Sequence, residues 1–120
     1  MLKAKEKMLR LMLDEFLKET QEAVWLWELN PDNVKIEFWD LGGLAMGMTV
    51  GDSIVLNCHY QAVELFSTLI HELWHLKQRR ENPIAYWIFK IPFLRHKIED
   101  SAEEKEKIAE DWLTEKGYLE

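Results

Sequence analysis

The sequence contains few of the residues that mark several classes of protein. Its 120 residues include a single cysteine, Cys58, which excludes a disulfide within the chain and a cysteine-rich zinc site. A chain without disulfides suits a reducing compartment, and we expect a cytoplasmic protein. Basic residues are outnumbered by acidic ones, with 15 Lys and Arg against 22 Asp and Glu. Because a nucleic-acid partner requires a basic surface, we expect no such partner.

Long apolar runs are absent as well. None approaches the roughly 20 residues that a membrane-spanning helix requires, so we expect no transmembrane segment. The most apolar stretch, residues 84–94, is predicted to cover the core; a cleft wall, a partner surface and contact with a membrane surface are the alternatives. With 48% apolar residues and six tryptophans, the chain can form one core, and we predict a single domain over residues 1–120.

The most informative stretch is residues 71–75, His-Glu-Leu-Trp-His, which has the pattern H-E-x-x-H. Neither proline nor glycine occurs in residues 52–82, and the apolar residues there recur with the helical period. On a helix, His71 and His75 lie one turn apart on the same face and can bind one metal ion. Glu72 projects beside them and can take a proton from water. This arrangement indicates a Zn²⁺ site with Glu72 as general base and acid.

The rest of the chain predicts an α+β fold in which the motif helix follows a small sheet. An amphipathic stripe that includes Val24 indicates an N-terminal helix over residues 2–27. The dipeptide Gly51-Asp52 is a two-residue hairpin signal. The third predicted strand has a continuous apolar run at Ile54-Val55-Leu56, which is typical of a buried position. The predicted strands cover residues 34–39, 44–50 and 53–57.

A long charged helix is predicted over residues 92–116. Pro92 suits its first turn, and Gly117 suits its C-terminal cap. Its apolar residues share one face, and most of its acidic residues are expected on the solvated face. Ser101 and Glu104 also match a capping box, which would start the helix one residue after Ser101 instead.

A catalytic zinc usually has three protein ligands, and the charged helix is the better source of the third. A ligand there must flank the apolar stripe, and a small residue three positions on lets the two helices approach. Glu99 meets both conditions, because Ala102 lies three positions on and Ile98 is beside it. Glu106 also precedes an alanine by three positions but lies among charges, and Glu103 points further from the stripe. We therefore predict Glu99, with Glu103 and Glu106 as alternates.

Three other residues carry weaker signals for the third ligand. Cys58 lies just past the third strand. As a ligand it would resemble the metal-binding cysteine that peptide deformylases combine with the same H-E-x-x-H pattern, but the glycine-rich and Cys-Leu motifs of those enzymes are absent here. We interpret Cys58 as a small buried residue. His59 is the next residue and is a second candidate. His96 is a third, but in metzincins a glycine that ends the motif helix precedes the third histidine, and residues 76–78 contain no glycine.

The order of helix, sheet, motif helix and glutamate-bearing helix, together with the His-Glu-Leu-Trp-His motif, resembles the gluzincin clan of zinc peptidases. In size the chain is most similar to the minigluzincins, minimal soluble peptidases of thermophilic archaea. The resemblance implies a minimal zincin fold in which His71 and His75 bind zinc, Glu72 is the general base and acid, and a helix glutamate completes the site. The Glu-x-x-Ala-Glu pattern, present at Glu99 and again at Glu106, is similar to the Glu-x-x-Ala-Asp of membrane peptidases in the clan.

Some minigluzincins are kept latent by their own C-terminal segments. By this resemblance, residues 114–120 are predicted to form an autoinhibitory tail that makes the protein a latent zymogen. A frayed terminus is the alternative.

We therefore expect a zinc-dependent metalloendopeptidase that acts on peptides or unfolded proteins, with Zn²⁺ as its cofactor. Residues 45–49 are predicted to hold an extended substrate by edge pairing, and Gly47 allows close approach. Tyr86, His59 and His96 are candidates to stabilise the oxyanion.

Two other functions fit the same pattern. One is a catalytically silent zinc-binding or interaction module that works through residues 84–94. The other is a deformylase-like metal hydrolase in which Cys58 binds the metal. Self-association with a second copy of the chain is a possible partnership in each case.

Overall fold

The structure is a computed structural model that describes residues 2–89 and 95–119. The described residues have an α+β architecture that combines helices with one three-stranded sheet. None of the described helices has both the length and the apolar character needed to pass through a membrane. The helices are α1 (Leu2–Glu19), α2 (Val24–Leu29), α3 (Ala62–Glu81), α4 (Pro83–Phe89) and α5 (His96–Glu115), and the strands are β1 (Lys35–Trp39), β2 (Gly47–Val50) and β3 (Ser53–Asn57).

The N-terminal region forms two helices rather than the single helix predicted over residues 2–27. α1 ends at Glu19 because Thr20 is extended, with φ −122° and ψ 111°, and a 3-10 turn at Gln21–Ala23 leads into α2. Val24, which the predicted stripe placed in the core, is 63% exposed. The prediction of an uninterrupted helix is wrong, since the chain turns at Thr20 to bury a different set of side chains. The buried residues of α2 are Trp25, Leu26 and Leu29.

β3 is the central strand of the sheet, whose order is β1–β3–β2. It pairs parallel with β1 and antiparallel with β2. Residues 54–56 of this strand are buried, as their apolar sequence predicts, and the polar Asn57 is buried with them. The hairpin predicted at Gly51-Asp52 is confirmed, because this dipeptide joins β2 to β3 and Gly51 has a positive φ of 60°.

β2 is shorter than predicted and begins at Gly47 rather than at residue 44. The loop before it is held by Asn57, whose buried side-chain amide donates hydrogen bonds to the carbonyls of Gly42 and Ala45. Leu44 is consequently 90% exposed and outside the strand. β2 lies at an edge of the described sheet and contacts α3.

α3 carries the His-Glu-Leu-Trp-His motif and lies at the centre of the packing. It begins at a capping box formed by Gln61 and Glu64, and it packs against α1, α5, β2 and β3. Phe66, in its second turn, meets Phe16 of α1 with ring centroids 5.5 Å apart and Trp112 of α5 at 5.3 Å. These aromatic contacts anchor the helix to both neighbours, so the motif lies on a fixed element.

α5 runs without interruption through Ser101, so the alternative helix start after that residue is wrong. The Ser101 hydroxyl instead faces α3 and accepts a hydrogen bond of 2.7 Å from the Trp74 indole N–H. Trp74 also packs edge-on against Trp25, and the Lys105 ammonium lies 4.7 Å from the centre of its ring. These contacts hold α5 against α3. The predicted first-turn residue Pro92 lies outside the described residues.

Gly117 ends the long helix as predicted. It has a φ of 84°, and the N–H of Tyr118 donates to the carbonyl of Leu113 at 2.9 Å, which is a C-terminal capping pattern. Tyr118 and Leu119 then pack against the core, and the Tyr118 ring lies 5.9 Å from that of Trp112. The described part of the predicted tail therefore lies beside the C-terminal end of α5.

Gly47 brings the edge strand close to α3. A Cβ atom at this position would lie 2.8 Å from Thr68 Cγ2 and 3.2 Å from the carbonyl oxygen of Val55. We expect Gly47→Ala to lower the free energy of unfolding by about 1–3 kcal/mol through overpacking. Urea unfolding of the two proteins measures this change. Gly43→Ala is the matched control, because a Cβ there meets nothing within 4 Å. Equal stability losses in both variants would contradict the close approach.

Candidate metal centre

His71 and His75 point their Nε2 atoms at each other and at a carboxylate from α5. The two Nε2 atoms are 3.1 Å apart. Glu99 Oε2 lies 3.2 Å from the Nε2 of His71, and Glu99 Oε1 lies 3.1 Å from the Nε2 of His75. The helices approach closely enough for this because Ala102, one turn after Glu99, is fully buried. Three side chains from two helices thus converge on one point.

The other ring nitrogen of each histidine has a hydrogen-bond acceptor. Glu106 Oε1 lies 2.7 Å from the Nδ1 of His71, and the amide oxygen of Gln78 lies 3.1 Å from the Nδ1 of His75. A neutral imidazole that donates from Nδ1 to such an acceptor has its lone pair on Nε2. In that tautomer both imidazoles direct lone pairs at each other and at the Glu99 carboxylate, an arrangement that a cation stabilises.

These donor atoms fit a zinc ion in type and spacing. Two imidazole nitrogens and one carboxylate are a ligand set that zinc takes in catalytic sites. Tetrahedral ligands at bond lengths of about 2.0–2.1 Å lie about 3.3 Å from one another. The separations among His71, His75 and Glu99 are 3.1–3.2 Å. The three side chains already have nearly the mutual spacing that such an ion imposes.

Glu72 lies beside this cluster and has a different partner. The ligand-type atoms of His71, Glu72 and His75 are all within 4.8 Å of one another, so Glu72 is also close enough to be considered as a ligand. Its Oε1, however, accepts a hydrogen bond of 2.9 Å from the Thr49 hydroxyl of β2. Glu99 is the better ligand candidate, because both of its oxygens face the imidazoles while Glu72 is turned towards the strand.

The cluster lies in a cleft of about 260 Å³ between β2, α3, α4 and the start of α5. Tyr86 lines this cleft, and its ring centre lies 6.2 Å from that of His75. Burial raises the pKa of the Tyr86 phenol, and the negative charge of Glu72 raises it further. The phenol therefore stays protonated at neutral pH and keeps its hydrogen-bond donor. Arg95 and Ile98 also line the cleft.

The remaining sequence candidates lie elsewhere, and none belongs to the described lining of the cleft. Glu103 is exposed on α5, and His96 is the exposed first residue of that helix. Cys58 is only partly buried, so its interpretation as a buried residue is wrong, and its backbone bonds to Trp39 and Lys5 beyond the end of β3. His59 Nε2 lies 2.8 Å from Asp40 Oδ1, and this hydrogen bond holds the pKa of Asp40 below its ordinary value.

Two partners of the motif were missed by the sequence reasoning. Gln78 lies three residues after His75 on the same helical face, so helical spacing alone identifies it as a neighbour. Thr49 gives no such signal, because its contact with Glu72 depends on how β2 packs against α3. Glu106 was predicted as an alternate ligand, whereas the structure places it behind His71, on the ring nitrogen that faces away from the cluster.

Comparison with known proteins gives no family for this chain. No protein-family model matches it, and neither a curated protein nor a solved structure matches it at a significant level. The argument for function therefore depends on the geometry of the cluster formed by His71, Glu72, His75 and Glu99.

Proposed function

We propose that the protein is a zinc-dependent metalloendopeptidase with a minimal zincin fold, in which α3 is the active-site helix and α5 supplies the third ligand. One observation carries the proposal: the Nε2 atoms of His71 and His75 and the carboxylate of Glu99 lie 3.1–3.2 Å from one another. The acceptors at both Nδ1 atoms support it further, since they prepare both imidazoles as ligands.

When bound, zinc supplies a Lewis acid that polarises the scissile carbonyl and lowers the pKa of a water molecule. Glu72 takes the proton of the attacking water and delivers it to the leaving amine. Thr49 orients Glu72 for this role, because its hydroxyl donates to Oε1 and leaves the second carboxylate oxygen for the water. Tyr86 donates a hydrogen bond to the developing oxyanion, and its raised pKa keeps that proton in place.

The edge strand β2 is the element that positions the substrate. Gly47, Met48 and Thr49 line the cleft, and the described sheet has no further strand beyond β2. An extended peptide can therefore pair with its free backbone groups and lie across the motif. Unfolded proteins and flexible peptides are the substrates that meet this requirement, since a folded chain does not present an extended segment.

Removal and return of the metal tests this function. We expect the purified protein to contain one zinc per chain, measured by elemental analysis, and to cleave casein. 1,10-Phenanthroline should abolish cleavage, and stoichiometric zinc should restore it, because water activation at the site requires the metal. Cleavage that persists in metal-free protein would contradict the proposal. Stable zinc binding without hydrolysis of any unfolded substrate would instead favour a zinc-binding module without catalysis.

A further inference from the structure

Arg95 is the one cationic side chain in the described lining of the cleft. The other ionisable groups there are Glu72, Glu99, the two histidines and the neutral Tyr86 phenol. Arg95 is held close to the site by its backbone, since its carbonyl accepts hydrogen bonds of 3.1 Å from the N–H groups of Ile98 and Glu99. A guanidinium is thus attached one turn before the third ligand of the cluster.

The intramolecular contacts of Arg95 do not account for its charge in the cleft. Among the described residues, neither a hydrogen bond nor an ion pair engages its guanidinium, and its charge acts only at longer range on the Tyr86 phenol. Glu72 and Glu99 are directed to Thr49 and to the imidazoles. A cation at the start of α5 also opposes the helix dipole, so it does not stabilise the helix. The positive charge is left facing the space that a substrate enters.

We propose that Arg95 forms a subsite for a substrate carboxylate, so that the cleft selects peptides that carry such a group within its reach. A guanidinium presents parallel N–H donors that match both oxygens of a carboxylate. The carboxylate is either the free C-terminus of a peptide or the side chain of an aspartate or glutamate. Treating the ligand as a peptide rests on the peptidase function proposed above.

The overall charge of the protein predicts the opposite preference. With a net charge of −7, the chain repels acidic peptides and attracts basic ones at long range. Tighter binding of peptides that carry a carboxylate would therefore result from a local contact with Arg95 and not from the net charge of the protein. This contrast makes the subsite separable from non-specific electrostatic attraction.

The test is a binding titration on the full chain, loaded with zinc and carrying Glu72→Gln so that no peptide is cleaved. The probes are dansylated octapeptides of Ala, Gly and Leu with a C-terminal amide, in which one Glu occupies each position in turn. Matched peptides carry Gln at the same positions, and one peptide without Glu has a free C-terminus. We expect at least one carboxylate peptide to bind about tenfold more tightly than its neutral counterpart, as for other charge-assisted hydrogen bonds.

Three further variants assign that preference to Arg95. Arg95→Gln should remove it, and Arg95→Lys should retain part of it, because an ammonium keeps the charge without the fork. Arg80→Gln is the matched control, since Arg80 is exposed at the end of α3 and lies outside the described cleft lining. It should leave the preference unchanged. Whether the free C-terminus or an internal Glu gives the tighter binding identifies the source of the carboxylate.

Several results would overturn the subsite. The first is equal binding of acidic and neutral peptides. The second is a preference for carboxylate peptides that survives in Arg95→Gln, which would assign the preference to the metal. The third is a loss of this preference in Arg80→Gln as large as the loss in Arg95→Gln. Hydrolysis by the zinc-loaded protein with Glu72 intact is scored separately. Cleavage without an effect of Arg95 would reject the subsite and keep the peptidase. A preference that depends on Arg95 without any cleavage would reject the peptidase and keep the carboxylate site.

Discussion

Glu99→Gln should lower the affinity for zinc by more than about 100-fold, because loss of a hydrogen-bond partner behind a ligand already costs about 10- to 100-fold. The substitution keeps the shape of the side chain but removes the charge that faces both Nε2 atoms. Competition against a chromophoric chelator measures the affinity. Circular dichroism checks that the fold is retained, which we expect because the Glu99 side chain is 37% exposed.

Two neighbouring glutamates provide graded controls for that result. Glu106→Gln should lower zinc affinity by about 10- to 100-fold, since Glu106 orients His71 through its Nδ1 atom without facing the metal position. Glu103→Gln should leave affinity unchanged, because Glu103 is exposed. A larger loss in Glu103→Gln or Glu106→Gln than in Glu99→Gln would show that a different residue is the third ligand.

Glu72→Gln should reduce peptide hydrolysis by about 100- to 10,000-fold while zinc stays bound. The amide cannot accept the proton of the attacking water, yet it can still accept the Thr49 hydrogen bond that now holds the carboxylate at 2.9 Å. The measurement is kcat/KM on a fluorogenic peptide, with zinc content determined on the same sample.

Glu104→Gln is the matched control for this loss, since Glu104 is 71% exposed on α5 and its one ion pair within the described part of the chain is a 4.0 Å contact with Lys105. It should keep both the rate and the zinc. If Glu72→Gln cleaves the peptide at the wild-type rate, Glu72 is not the general base. If it loses zinc instead, Glu72 is a ligand, and the assignment of the third ligand to Glu99 is wrong.

The sequence predicts the elements whose patterns are local. The predicted positions of β3 and α3 agree closely with the structure, because β3 contains a continuous apolar run and α3 has an uninterrupted helical period. The break at Thr20 was not predicted, because the apolar stripe continues through it and only the packing of Trp25 and its neighbours shows which face is buried. The start of β2 was also missed, since it depends on hydrogen bonds from the side chain of Asn57.

In the candidate site, too, the sequence predicts the contacts that follow from helical spacing and misses those that depend on packing between elements. Helical spacing brings His71 and His75 together, and the small residue Ala102 indicates why Glu99 approaches them; its role in binding zinc stays a prediction. Thr49 reaches Glu72 only through the approach of a strand to a helix. No spacing in the sequence encodes that contact, since it depends on Gly47 letting the two elements come close.

The hydrogen bond between Trp74 and Ser101 has a consequence for the choice of ligand. On α5, Glu103 and Glu106 follow Glu99 by about one and two helical turns. A lengthwise shift of α5 by one turn, about 5.4 Å, would therefore place Glu103 where Glu99 now lies. The indole N–H of Trp74 donates a hydrogen bond to the Ser101 hydroxyl, and this bond opposes such a shift. A residue at a variable position of the motif thereby contributes to the register in which Glu99, and not Glu103, lies beside the histidines.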